Sequence, residues 1–171
     1  IYTLALHTGI RISELVSLDV KDINWNDRSF KVIRKRGNED IVYFDNTTER
    51  VLLDWLDERT NLKETLGITD DNEPALFIST KGRNRGTRLS VRSVERMVKK
   101  YAEIAVPEVK GMHVHSLRST CATNVYEKSH DLVYTKSLLG HSSVNTTMRY
   151  VKDDEQKKKD NRTLLDREKD G

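Results

Sequence analysis

Three stretches of the chain gather residue types that bind anions and move protons. Thr8-Gly9-Ile10-Arg11-Ile12-Ser13-Glu14-Leu15 carries an arginine with an acid three residues later. His115-Ser116-Leu117-Arg118-Ser119-Thr120 sets a histidine three residues before an arginine, a spacing that turns both side chains the same way on a helix. Leu138-Leu139-Gly140-His141-Ser142-Ser143 runs on through Thr146, Thr147 and Met148 to Tyr150. Arginine stays charged at any relevant pH and presents paired N–H donors in a fixed geometry, which suits an anionic group. Histidine titrates near neutrality and can carry a proton. Tyrosine has an ordinary pKa near ~10, so neighbouring cations must stabilise its phenolate. Taken singly, each residue has a plainer role. Arg11 reads as a surface ion pair with Glu14, His115 or His113 as a core or capping histidine, His141 as a helix-end histidine, and Tyr150 as a packing residue.

Their order and separations, taken jointly, carry more. The chain resembles the catalytic domain of tyrosine recombinases, the phage-integrase family, whose motifs T-G-x-R-x-x-E-L, H-x-L-R-x-T and L-G-H followed nine residues later by tyrosine all occur here. The resemblance runs from about Leu4 to Tyr150. It implies that Arg11 and Arg118 clamp a phosphate, that His115 and His141 are the two active-site histidines, and that Tyr150 is the nucleophile. Lys35 sits on the hairpin where the family carries its catalytic lysine, with Lys31 as the competing choice. Glu14 falls where the family has an acid close to the first arginine. The sequence departs from the family pattern in places. Arg34 and Arg36 replace the glycines that often flank the lysine, and Ser119 stands where many members have another histidine. His7 and His130 match nothing in the pattern and read as structural.

The chemistry of the implied set is coherent. The transition state of phosphodiester cleavage adds charge to the non-bridging oxygens, and a positioned donor there is worth about 3–4 kcal/mol where water is excluded. A lysine can give a proton to the leaving 5′-oxygen, and a histidine can shuttle the tyrosine proton. The set calls for no metal and no cofactor, and no Cys/His grouping has zinc-ligand spacing. The expected reaction is site-specific recombination, with strands cut and rejoined through a 3′-phosphotyrosine, serving integration or excision of a phage or mobile element. The expected partner is double-stranded DNA, bound as a homo-tetramer, with a monomer or weak oligomer in its absence. Two other readings stand beside it. A DNA-binding module that lost catalysis is disfavoured because no reactive position is replaced. A type IB topoisomerase shares the chemistry, but the Leu138-Gly140-His141 segment and its step to Tyr150 favour the recombinase.

The elements that must position these residues read as mainly α with a small antiparallel β-sheet, an α+β pattern. Residues 1–8 end a helix that Gly9 breaks, and a short helix starts at Arg11. Strand-like runs at Asp22–Trp25, Ser29–Arg34 and Asp40–Phe44 are joined by turns at Asn26-Asp27-Arg28 and Gly37-Asn38. Asn46 with Glu49 resembles a capping box opening a helix whose apolar side holds Val51, Leu52, Trp55, Leu56 and Leu62. Residues 65–88 read as loop with an extended piece at Ala75–Ile78. Ser90 caps a helix with Val91, Val94, Met97, Val98, Tyr101 and Ile104 at helical spacing. Helices are expected at His115–Lys128, Asp131–Leu139 and Val144–Tyr150, with Gly140 ending the middle one.

The 171 residues suffice for one domain with a real core, at 36% hydrophobic and 33% charged content. Net charge is only +3, so the placement of charge matters more than its sum. Lys31, Arg34, Lys35 and Arg36 form one basic cluster, and Lys81, Arg83, Arg85 and Arg88 another; either alone reads as a solvated face, while the two together, with Gly and Asn between the charges, fit loops that approach phosphates better. The lone Cys121 excludes an internal disulfide and fits a reducing cytoplasm, in a bacterial or phage-encoded protein. No apolar run has the length of a membrane span. The expected organisation is a catalytic domain at 1–150, read as an N-terminally truncated fragment, and a charged tail at 151–171. On its own such a tail reads as disordered or as a solvated helix; the resemblance implies that it docks on a neighbouring protomer, with Leu164 and Leu165 as the natural anchors.

Overall fold

The computed structural model describes residues 1–34, 37–108 and 111–140. The chain falls into two units, the first Ile1–Ser119 and the second beginning at Thr120. The elements are α1 (Tyr2–Thr8), α2 (Ile12–Ser17), a 3-10 turn at Val20–Asp22, β1 (Ile23–Asn24), β2 (Ser29–Ile33), β3 (Glu39–Tyr43), α3 (Asn46–Leu66), α4 (Val91–Ala105), α5 (Val114–Ser129) and α6 (Leu132–Leu139). The expected mainly helical architecture with one small antiparallel sheet is what the structure has. The expected helix at Val144–Tyr150 lies outside the described residues.

The sheet is a meander ordered β1-β2-β3, with Phe30 opposite Val42. Phe30 and Val32 of β2 and Val42 of β3 are buried, while Lys31, Ile33, Ile41 and Tyr43 face outward, the alternation of a sheet covered on one side. The first turn is built by side chains. Asn24 Nδ2 donates to Asp27 Oδ2 at 2.7 Å, and Arg28 takes a positive φ of 48° to close it. Behind the sheet, Leu4, Ile10, Leu15, Leu18, Leu76, Val94 and Val98 join Phe30 in one core. In the second unit Ala122 and Leu139 are buried with Tyr126 and Leu138 against them, and Cys121 is buried as expected.

Local signals fix the ends of the helices. Gly9 adopts φ 61° after Thr8 and donates its N–H to Ala5 O, a left-handed cap that a side chain would strain. Ser90 caps α4 by accepting from Ser93 N at 3.1 Å, and Gly140 ends α6 at φ 57°. The start of α3 corrects the sequence reading: Asp45, one residue earlier than Asn46, is the cap and accepts from Thr48 N at 2.9 Å. Partial burial would raise the Asp45 pKa, but the bonds from Thr48 and His7 outweigh it and hold it at about 2. On α4 the buried stripe is Val94, Val98 and Ala102; Tyr101 and Ile104 are exposed, Tyr101 meeting Tyr2 edge-on instead.

The inner face of α3 departs most from the pattern. Thr48, Leu52, Arg59 and Lys63 are buried there, two of them charged. The reason lies in the loop after α3, which returns as an extended stretch at Ala75–Ile78, buried throughout and bridged to Asp19 and Arg88. Its approach leaves carbonyls facing α3. Arg59 donates to Ala75 O at 2.8 Å and Glu73 O at 3.0 Å, and Lys63 donates to Glu73 O. Both cations also meet Asp70, whose carboxyl they hold below the ordinary range through the Lys63 bond first and the Arg59 bond second. Replacing Arg59 by Met removes the donor to Ala75 O and leaves Glu73 O to Lys63 alone, and we expect a loss of about 2–4 kcal/mol in unfolding free energy, measured by urea denaturation.

Candidate anion-binding site around Arg11 and Arg118

The site begins at the break between α1 and α2. Gly9 turns the chain, Thr8 Oγ1 accepts from Ile10 N at 3.2 Å, and Arg11 becomes the residue that caps α2. Its backbone N–H donates to Glu14 Oε2 at 3.0 Å, and its Nη1 donates to Glu14 Oε1 at 2.7 Å. One carboxylate thus satisfies an open amide of the helix start and orients the Arg11 guanidinium. Glu14 is only 5% exposed while the Arg11 side chain is 38% exposed, so the acid is inside and the arginine opens to solvent.

A second guanidinium reaches Glu14 from the hairpin. Arg34 follows β2, and its Nη1 lies 3.3 Å from Oε1 and 3.1 Å from Oε2 of Glu14, with its Nε 2.9 Å from Asp40 Oδ2. The sequence reading put Arg34 in a basic cluster approaching phosphates. The structure turns it inward, because a buried carboxylate needs more than one donor. Lys31, the competitor of Lys35, pairs with Glu39 on the exposed face of the sheet at 2.8 Å. Lys35 lies outside the described residues; of its described neighbours, Arg34 N donates to Asn38 O at 2.7 Å and Gly37 N to Arg34 O at 3.1 Å.

Arg118 arrives from α5. Its Nη1 donates to Gly9 O, the carbonyl two residues before Arg11. The Arg118 guanidinium thus reaches the turn of backbone that leads into Arg11, whose own guanidinium bonds Glu14. His115 stands one turn before Arg118 on α5 and is exposed. Its rival His113 is engaged at the start of that helix: its N–H donates to Ser116 Oγ at 3.2 Å and its carbonyl accepts from Ser116 N at 2.8 Å. His7 pairs with Asp45 at 2.7 Å and His130 packs edge-on to Tyr126. His141, Tyr150, Arg36, Leu164 and Leu165 lie outside the described residues.

The second basic cluster also divides. Arg88 turns inward to Val16 O, Leu18 O and Asp19, satisfying carbonyls at the end of α2. Lys81 and Arg83 remain outside and line an open pocket with Asn84, Ser90, Ser93 and Arg96. Arg96 was not singled out in the sequence; its position on α4, two turns after the Ser90 cap, was the available signal. Among the described residues, no three His, Cys, Asp or Glu side chains form a metal-ligating group, and no helix is long and apolar enough to cross a membrane.

One arginine caps α2 and is held by an inner acid, a hairpin arginine shares that acid, and a third arginine bonds the Gly9 carbonyl, all on a mainly helical fold whose class the comparisons identify. The chain belongs to the phage integrase family, whose model matches residues 1–157. It is 34% identical over 151 residues to a tyrosine recombinase XerC of Corynebacterium glutamicum, covering 88% of this chain and 45% of that protein. It is 38% identical over 143 residues to a XerC of Shewanella amazonensis, covering 84% and 44%. The chain thus spans less than half the length of these curated relatives. Among solved structures, the XerA recombinase superposes with a TM-score of 0.72 at 30% identity, covering 86% of this chain and 50% of that one. A XerH recombinase bound to its difH substrate before cleavage superposes with a TM-score of 0.70 at 26% identity, covering 87% and 41%.

The shared carboxylate gives a stability prediction. Glu14→Ala leaves the Arg34 guanidinium buried beside a void, and we expect a loss of about 3 kcal/mol in unfolding free energy, measured by chemical denaturation.

Proposed function

We propose that the chain is the catalytic part of a site-specific recombinase that cuts and rejoins double-stranded DNA through a 3′-phosphotyrosine. The observation that carries this reading is the bond from Arg118 Nη1 to Gly9 O, which ties one expected arginine to the turn that leads into the other, Arg11. Two guanidinium groups there can hold the non-bridging oxygens of one phosphodiester and stabilise the charge that develops on them. Membership of the phage integrase family and likeness to the XerC recombinases support it.

In this reading Tyr150 Oη attacks phosphorus, the P–O5′ bond breaks, and Lys35 protonates the leaving 5′-oxygen. His115 and His141 hold and move the tyrosine proton. A 5′-hydroxyl of another strand then attacks the phosphotyrosine, Tyr150 leaves, and the strand is rejoined. The covalent link conserves the phosphodiester energy, so no nucleotide cofactor is consumed. Lys81, Arg83 and Arg96 offer further positive charge to the DNA backbone. Residues 1–150 form the catalytic domain, and the tail 151–171 docks through Leu164 and Leu165 on a neighbouring protomer of a tetramer on DNA. The protein works in the cytoplasm, on integration or excision of a phage or mobile element.

The test uses nicked duplexes of randomised sequence, which trap covalent adducts because the short cleaved strand diffuses away. The wild-type protein should yield adducts stable to detergent, whose DNA is then sequenced to give the target. Tyr150→Phe should yield none, and Arg118→Ala should slow adduct formation by about 100-fold or more. Adducts from Tyr150→Phe at the wild-type level would remove Tyr150 as nucleophile.

A further inference from the structure

We propose that Arg34 is a positioning residue for strand cleavage: by sharing the Glu14 carboxylate it leaves Arg11 available to the scissile phosphate. The proposal rests on the recombinase reading above. It concerns a residue that stands where the resemblance leads one to expect a glycine.

The geometry is that of one acid between two bases. Glu14 is 5% exposed and meets both guanidiniums with its carboxylate, Arg11 at 2.7 Å and Arg34 at 3.1 Å. Arg34 is 10% exposed and faces inward, whereas Arg11 is 38% exposed and faces out. A buried carboxylate facing a single cation would draw that cation strongly to itself, because the surroundings screen little. Its negative charge, with no second cation behind it, would also oppose an incoming phosphate. A second cation behind it divides that attraction and cancels much of that field. Asp40 engages Arg34 Nε at 2.9 Å, so the planar group is held on two edges and its Nη1 stays aimed at Glu14. Among the described contacts, Arg11 and Arg34 face Glu14 and Asp40, and Arg118 of α5 bonds the nearby Gly9 carbonyl.

A purely structural ion pair would predict a different dependence on the substrate's charge. The duplex sequence recovered by trapping is made in two forms, one with an ordinary scissile phosphate and one with a methylphosphonate there, which is neutral. Single-turnover adduct formation is measured at saturating DNA with the full protein. Arg34→Gln should slow cleavage of the charged duplex by about ten-fold, with a distinctly smaller loss on the neutral duplex. Arg34→Lys, which keeps the charge but loses the fork, should fall between Arg34→Gln and wild type. Adding Glu14→Gln to Arg34→Gln should recover part of the lost rate on the charged duplex, because the unshared carboxylate is gone. Thermal melts confirm that each variant is folded at the assay temperature. If Arg34→Gln is not, Arg34→Lys and the double variant carry the same comparison. Equal losses on both duplexes, or a double variant no faster than Arg34→Gln, would overturn the role of Arg34 and leave the recombinase reading intact. No adduct from the wild type on either duplex would overturn the recombinase reading and this proposal with it.

Discussion

The carboxylate of Glu14, buried between two arginines, is the contact on which the rest of the site depends. It closes the first turn of α2, fixes the Arg11 guanidinium, and ties the end of β2 to the same helix through Arg34. A charge in that position is tolerable only with several donors around it, and four hydrogen bonds from two residues supply them. Arg118 completes the arrangement from another direction by donating to Gly9 O. The left-handed turn at Gly9 is thus the pivot where α1 ends, α2 begins and α5 attaches.

The arginines explain how a chain of net charge +3 can suit a polyanion. Arg34, Arg59 and Arg88 point inward and serve carbonyls and carboxylates of the fold itself. Arg11, Lys81, Arg83 and Arg96 stay open to solvent or to a surface pocket. Counting basic residues along the sequence mixes these two populations. Sorting them by where their donors go leaves a smaller set, and it is this set that can meet phosphates. Guanidinium suits both tasks because its fork of five donors reaches several acceptors at once.

Much of this was legible in the sequence wherever the signal was local. Gly9, Ser90 and Gly140 ended or began helices as their chemistry demands, and alternation along β2 gave its buried face. The spacing of His115 and Arg118 placed them one turn apart on α5. Errors arose where partners are distant. Arg34 meets an acid 20 residues away, Arg59 a carbonyl 16 away and Arg88 an acid 69 away, so no window along the chain reveals their inward direction. The cap of α3 was misplaced by one residue because Asp45 and Asn46 are both good caps, and only the tertiary bond from His7 to Asp45 adds a preference. Tyr101 and Ile104 fit helical spacing yet lie outside the core, since periodicity gives a direction and not the extent of what packs against it.

The proposed strand cleavage turns on Arg11 and Arg118 acting on a single phosphate. The most direct measurement is a crystal structure of the Tyr150→Phe protein on an uncut duplex carrying its target sequence. The predicted result is both guanidiniums within hydrogen-bond distance of non-bridging oxygens of the same phosphate, with Glu14 still shared between Arg11 and Arg34. A phosphate held by one of the two arginines alone, or the two arginines on phosphates of different nucleotides, would contradict it.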